Sequence, residues 1–495
     1  MKINALGGNY SVGAGVNTRK LVNCYLERNE EGGDGDNGYI ALPTMGIKAI
    51  IALPGMVAGE WVDDYYFFEN FNPQDIQYVY LVLKTNSATR LARIQSTGGQ
   101  IVGSIQPTSG GALINAFKVF AGDNLKQLVI TNDGLYILNV AANSLAPYVG
   151  VAEVDQGVNV IYLNSRWVVQ GSDGYLYYSL INDPTFTAID YFTVRQGTKP
   201  VEMCVDNVTD IFILTNEHSE IFIPTDDATE PFVRQINLTG TVGGVARLAG
   251  EVNQSLQSIH GVKYWIGANQ ENQKVVYRAS GGQPQRVSNN MIEQYLNQSN
   301  AYDQTQKYHK TYFHEHNGHI FYCIPKFNST ITWCYDLNTG LWHERQDPKA
   351  IKYVKNQFVV YRTPTSGFGL YHKTDYSVSY FEQNLDEKFA ITRIIEAEPL
   401  YDANDYHKIY HSEVRVKSSG IYDANGLYSP NITLDISKNG GLDFSITRTA
   451  SRNIEGFNRF NMLGASNKQV YRYTFNNPAY LPLNGINGKL QVGKS

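Results

Sequence analysis

Cysteine is scarce in this chain. Four residues in 495 (Cys24, Cys204, Cys323 and Cys334), none in a CxxC pair, exclude a disulfide scaffold and the common zinc-ribbon and redox motifs. Charge is sparse and nearly balanced, with 41 Lys+Arg against 46 Asp+Glu and a formal net charge of −5. That excludes a general nucleic-acid binder, whose affinity comes from clustered cations neutralising phosphates. Long apolar runs are missing too. The longest, AIIALPGMVAG (49–59), is broken by Pro54 and falls far short of the about 20 residues of a membrane span. The N-terminal MKINALGGNYSVGAG lacks the apolar centre of a secretory signal. The expectation is a soluble protein made in a cytoplasm, with no membrane partner. There is no G-x-S-x-G elbow, no H-E-x-x-H and no G-x-G-x-x-G after a strand, so no catalytic residue or cofactor site is assigned and no enzyme is expected.

What the chain does have is tyrosine (35) and glycine (44), with aromatic and β-branched residues in short runs bounded by Asn, Asp and Gly. This is the composition of many short strands and tight turns. YVYLVLKTNSATRLARI (78–94), QLVITNDGLYILNV (127–140), WVVQGSDGYLYYSL (167–180), IFILTNEHSEIFIP (211–224), KYWIGANQENQKVVYRA (263–279) and FVVYRTPTSGFGLYH (358–372) each read strand, turn, strand. Seven such modules can be counted from 60 to 385, with turn centres about 40–55 residues apart, the scale of a four-stranded propeller blade. Six or seven blades both fit. Only SNNMIEQYLNQSN (288–300) makes a helix case, with polar caps, Glu293 in the first turn and Ile292 and Leu296 four apart. The fold class is therefore all-β, a six- or seven-bladed β-propeller over 60–389. Residues 1–59 supply an extended N-terminal arm and the strand leading into the propeller. Residues 390–495 supply an antiparallel β-sandwich or barrel-like domain, from the regular alternation of SEVRVKSSGIYDANGLYSPNITLDISKNGGLDFSITRTAS.

Four stretches imitate chemical sites. FHEHNGHIFYCI (313–324) places His314, His316 and His319 within six residues, between His309 and Cys323. Imidazole and thiolate suit zinc, yet Asn317-Gly318 at the centre is the strongest short signal for a two-residue hairpin, with His316 and His319 facing across it. The hairpin accounts for the spacing and no metal site is assigned. Cys323 and Cys334 lie symmetrically about Asn328-Ser329, so a regular hairpin sets them opposite each other; a reducing cytoplasm would keep them as thiols. GKLQVGKS (488–495) matches the P-loop pattern but leaves no room for the helix that a P-loop needs, and DGDNG (34–38) has Met45 where a calcium loop closes with Glu. SKNGGLDF (437–444) fits the Asp-box turn of sialidase propellers, a structural hairpin wherever it occurs.

One ordered series of segments carries more than any of these motifs. It runs VNCYLE (22–27), GYIALPTMGIKAI (38–50), RWVVQGSDGYLYYSLINDPTFTAIDYFTV (166–194), TGTVGGVA (239–246), KYWIGANQENQKVVYRASGGQPQRVSNNMIEQYL (263–296) and NGHIFYCIPKFNSTITWCYDLNTGLWHER (317–345). In this order they resemble the tail hub, or nozzle, proteins of short-tailed bacteriophages, the packaged-DNA-stabilisation family. The resemblance implies a virion protein, assembled in the host cytoplasm as a homo-hexamer below the portal–adaptor connector. Such a ring continues the DNA channel, retains packaged DNA, anchors tailspikes or fibres and can receive a tail needle or tip. DNA then passes through a lumen without sequence-specific binding. Acidic residues lining that lumen would repel and centre DNA, with Glu30, Glu31, Asp34 and Asp36 as candidates. Two alternatives stay open: a glycan-binding or glycan-hydrolysing propeller of the receptor-binding kind, and an unrelated interaction scaffold.

Overall fold

The computed structural model describes strands and their connections from residue 18 to 492. Its longest stretches are 125–195, 209–235, 255–269, 283–297, 311–325, 331–346 and 431–453; residues 1–17, 29–38, 50–60, 236–241, 245–254, 298–310, 381–387, 402–408, 419–430, 476–482 and 493–495 are among those outside it. The chain is all-β, a β-propeller with an appended C-terminal β-domain. Four-stranded antiparallel meanders occupy 61–105, 117–147, 159–192, 200–234 and 257–286, each pairing its strands in sequence order. A sixth, 312–346, belongs to a larger sheet. A seventh, 350–373, has three strands of its own and takes Ile47–Ala49 as its fourth, with Ala49 opposite Tyr371.

Local sequence dictates the turns. At Asn164-Ser165, His260-Gly261 and Asn317-Gly318, both central residues have positive φ, as two-residue hairpins require. The expected hairpin at Asn317-Gly318 is thus borne out, with His316 paired to His319. TND and TNE in the second and fourth meanders fold alike. Thr131 Oγ1 accepts from the Asp133 and Gly134 amides, and Thr215 Oγ1 from those of Glu217 and His218. A side-chain hydroxyl here does the work of a backbone turn.

Successive meanders bury their apolar faces against each other. Tyr80, Val82 and Leu91 pack on Val129, Tyr136 and Leu138; Leu128 and Ile130 pack with Trp167 and Val169; Val168 and Leu176 with Ile211 and Ile213; Phe212 and Leu214 with Trp265 and Val275. Second-strand side chains of the third meander also donate across its two seams to backbone carbonyls. Trp167 Nε1 reaches the Ala121 carbonyl at 2.9 Å and Gln170 Nε2 that of Pro200 at 2.7 Å. An indole buried this way removes roughly 200 Å² from water, on the order of 5 kcal/mol before entropy, and its N–H keeps a partner.

The helix spans Asn290–Asn297, inside the expected 288–300, and Asn289 caps it by accepting from the Ile292 amide at 3.1 Å. Its face of Ile292, Tyr295 and Leu296 is buried in the largest core. No helix among the described residues is long and apolar enough to cross a membrane.

The C-terminal strands form two facing sheets. The larger continues the sixth meander: Trp342–Gln346 pairs in parallel with Thr18–Val22, then come Arg393–Ala397, Lys468–Phe475, Asn431–Ser437 and Ile446–Ser451, all antiparallel. The smaller orders Cys24–Arg28, Tyr39–Pro43, Leu483–Val492, Ile409–Ser418 and Phe457–Asn461. Ile432, Leu434, Ile436 and Tyr473 of one meet Val414, Val416 and Phe460 of the other. The period-2 alternation of NITLDIS supplies such a face directly.

Candidate functional site

Three of the segments that carry the family resemblance turn out to be joints. The first is Asn23. It sits at φ 54°, between Thr18–Val22 in the larger sheet and Cys24–Arg28 in the smaller, where the chain changes sheets. Its amide donates to the Glu344 carbonyl at 2.7 Å, and its Nδ2 to the Thr392 carbonyl at 2.8 Å. Its Oδ1 accepts from the Gln346 amide at 2.6 Å, and its carbonyl from Thr44 N and Oγ1 at 3.0 Å each. One buried asparagine therefore ties together VNCYLE, ALPT, WHERQ and the start of the C-terminal sheets. Asn tolerates the left-handed conformation and carries both a donor and an acceptor, which this place needs. Beside it, burial pushes the Cys24 thiol up to about 12, partly offset by Arg393, and burial likewise lowers Arg393 to about 10.

The second joint is Gly243-Gly244 of TVGG. A Cβ on Gly243 would come within 2.4 Å of the Thr215 carbonyl oxygen, so only glycine fits between the fourth and fifth meanders. The Gly244 amide bonds that same carbonyl at 2.8 Å, and the Gly243 carbonyl accepts from Trp265 Nε1 at 3.3 Å.

The third joint gathers PQR, the helix and WHER. Arg286 forms a forked ion pair with Glu293 of the helix, and Glu293 Oε1 also accepts from Ser288 Oγ at 2.7 Å. Trp342 Nε1 donates to the Val287 carbonyl at 2.8 Å. Tyr264, Tyr335, Trp342, Ile292 and Leu296 share one core, so these distant motif residues are neighbours in space.

Ser255, singled out by nothing in the sequence, binds three meanders together. Its amide and Oγ donate to Glu202 at 2.9 and 2.7 Å, and the Leu256 amide adds a third bond at 2.6 Å. Its carbonyl accepts from Thr311 Oγ1 at 2.8 Å and Tyr322 OH at 2.7 Å. Glu202 also lines a cavity of about 390 Å³ between the first strands of the second to fifth meanders. Gly122, Asn159, Tyr162, Met203, Cys204 and Gln257 line it too, and among the described residues of the wall Glu202 is the one that carries a charge. Its size is that of a small-molecule pocket.

The histidine stretch shows how such residues can be structural. His314, His319 and His343 are all buried on one face of the sixth meander, around Phe321 and beneath Tyr25. His319 Nδ1 lies 2.8 Å from Asp336 Oδ2 and its Nε2 lies 3.7 Å from Glu27. Asp336 in turn accepts from the Asn338 amide and Thr339 Oγ1 at 2.9 Å each. The hydrogen bond to Asp336 raises the His319 pKa above its ordinary 6.5, against the opposing effect of burial. A raised folded value means the imidazolium contributes stability that is full below about pH 6.5 and is lost as pH rises through the raised pKa. His319→Gln should therefore flatten the fall in melting temperature that the unmodified chain shows as pH rises above about 6.5 through the raised pKa. Parallel thermal melts would show it; identical pH profiles would exclude this role.

Among the described residues, no group of three or more His, Cys, Asp or Glu side chains is arranged to hold a metal ion. Residues 488–492 of the P-loop-like stretch lie in a strand, with Lys489 opposite Glu413, where a P-loop would turn. SKNGGLDF is a hairpin turn in which Ser437 Oγ accepts from the Gly441 amide at 2.8 Å and Asn439 Nδ2 donates to Asp443 at 2.7 Å. His309, Glu30, Glu31, Asp34 and Asp36 lie outside the described residues.

Comparisons with known proteins place this architecture. No curated protein matches the sequence. Among solved structures, an exo-β-1,3-galactanase from Phanerochaete chrysosporium is similar at 12% identity, over 77% of this chain and 98% of its own, with a TM-score of 0.29. A chain of the mitotic checkpoint complex is similar at 10% identity, over 70% and 96%, with a TM-score of 0.39. The computationally designed Ika8 protein is similar at 8% identity, over 66% and 99%, with a TM-score of 0.37. None of these scores is high enough to support an argument. The family model described as bacteriophage P22 Gp10, beta-propeller, matches residues 88–353, more than half of the chain. The chain belongs to the bacteriophage P22 Gp10 family, the DNA-stabilisation and tail-hub family, and is a phage structural β-propeller protein.

Proposed function

We propose that this chain is the tail hub, or nozzle, of a short-tailed phage. Six copies form a ring below the portal–adaptor connector, retain packaged DNA, and present side surfaces to tailspikes or fibres, with a needle or tip at the far end. The observation that carries this reading is the family match over the meanders. The cavity that the described residues form between the first strands of the second to fifth meanders, about 390 Å³, suits a small molecule and not a duplex. In a ring of this protein, DNA would pass between copies, along a lumen built from their outer surfaces. A mildly acidic subunit supports such a lumen, because each phosphate-binding cation would add salt-dependent affinity and slow DNA exit. Non-enzymatic action follows from the same reading.

Microscopy of the purified protein, alone and mixed with tail-less, connector-bearing heads, tests it. The expected result is a sixfold stub at one vertex with DNA retained. Heads that stay bare and leak DNA would overturn it.

A further inference from the structure

Cys323 and Cys334 are directly opposed in the sixth meander, with Sγ atoms 3.5 Å apart, both fully buried and carrying no disulfide. The hydrogen-bond pattern says which kind of pair this is. The Leu337 amide donates to the Ile320 carbonyl, so 320/337 is a hydrogen-bonded pair. Alternation then makes Phe321/Asp336 a non-hydrogen-bonded pair, Tyr322/Tyr335 hydrogen-bonded and Cys323/Cys334 non-hydrogen-bonded. In such pairs the Cα atoms stand about 4.5 Å apart and the side chains converge, inside the range that a disulfide spans. The sulfurs need to close by about 1.5 Å, which side-chain rotation can supply without moving the strands.

We propose that Cys323 and Cys334 are a latent cross-strand disulfide, held as thiols during synthesis and closed by a small-molecule disulfide. One cysteine thiolate attacks the external disulfide, releasing one small thiol and forming a mixed disulfide. The second cysteine sulfur then displaces the other small thiol, and the two cysteine protons leave with the two released thiols. Two electrons pass from the protein pair to the oxidant. The site matters through its position: Trp333, next to Cys334, is opposite Glu344, whose carbonyl holds Asn23. A staple there would fix the strand that borders the joint between propeller and C-terminal sheets. Resting on the family assignment, closure belongs to particles that have left the reducing cytoplasm. Since both sulfurs are buried, reaction requires local opening, so it is slow in the native chain and faster in mild denaturant.

The test uses the full-length chain, purified reduced and exposed to glutathione disulfide, with thiols then alkylated under denaturing conditions and the digest weighed. The expected product is one cross-linked peptide pair two hydrogens lighter than its parts, with half-buried Cys204 as the site that keeps a glutathione adduct. The melting temperature should rise by several degrees, fall back with reductant, and stay unmoved by oxidant in Cys334→Ala. Both cysteines alkylated as thiols after exposure in mild denaturant, or each carrying its own glutathione, would overturn the proposal. Because the mass is read on the isolated chain, it stands or falls separately from ring assembly on heads.

Discussion

Replacing Asn23 with alanine lowers stability by about 3–4 kcal/mol, more than its volume suggests. The variant strands the Gln346 amide and the Thr392 carbonyl without the side-chain partners they have now. A buried group left without a partner costs about 1–3 kcal/mol, and the lower end applies here because Gln346 is half-buried and Thr392 exposed. Alanine must also hold φ 54°, a further cost of about 1–2 kcal/mol that asparagine largely escapes. Two companion variants separate these causes. Asn23→Gly removes the backbone strain but not the stranded groups, so it should fall between the natural chain and Asn23→Ala. Asn23→Asp keeps an acceptor for Gln346 but sets a carboxylate oxygen against the Thr392 carbonyl, and should not rescue. Denaturant unfolding is the measurement. A separate early transition would mean that the C-terminal sheets come away first, because the bonds lost are those spanning 323 and 369 residues of chain. An unchanged midpoint in the alanine variant would show that the joint does not depend on this side chain.

The sequence announces what is local and hides what is remote. Asn317-Gly318 between alternating strands is legible because positive φ at two positions narrows the choice of residues. The helix in SNNMIEQYL is legible from its cap and apolar spacing, and it ends where Asn297 turns its side chain back to Lys274. The Cys323/Cys334 register follows from counting outward from the turn. No such count predicts that Thr18–Val22 lies beside both Trp342–Gln346 and Arg393–Ala397. Strand pairing across hundreds of residues leaves no spacing to read, and the short segment TRKLV is compatible with many neighbours. Asn23 left a faint trace, an asparagine interrupting two apolar strands. Ser255 left none, since a serine before a short strand is ordinary until its five hydrogen bonds, to Glu202, Ile266, Thr311 and Tyr322, are known. The histidines left a misleading one: their spacing resembles a ligand set, while their burial beside Phe321 and Tyr25 is what the fold uses.

Glu202→Ala is expected to cost about 3–5 kcal/mol, and its pattern would distinguish a structural carboxylate from one that meets a ligand or DNA. Removing the side chain leaves the Ser255 and Leu256 amides and the Ser255 hydroxyl without the oxygens they now bond, in a place with 2% exposure for Glu202 itself. Glu202→Gln should recover much of the loss. Its carbonyl oxygen can accept both amides, and the Ser255 hydroxyl can turn from donor to acceptor toward the new NH₂ group. Hydrogen exchange at the Ser255 and Leu256 amides should quicken strongly in the alanine variant and little in the glutamine one. If instead the glutamine variant were as unstable as alanine, the negative charge itself would be what holds the seam. For assembly the expectation runs the other way. On the proposed reading, in which DNA passes between copies and not through the propeller, Glu202→Gln should leave the salt dependence of DNA retention in reconstituted heads unchanged. A shift in that dependence would put the charge in the lumen, and with it the 390 Å³ cavity in the path of the DNA.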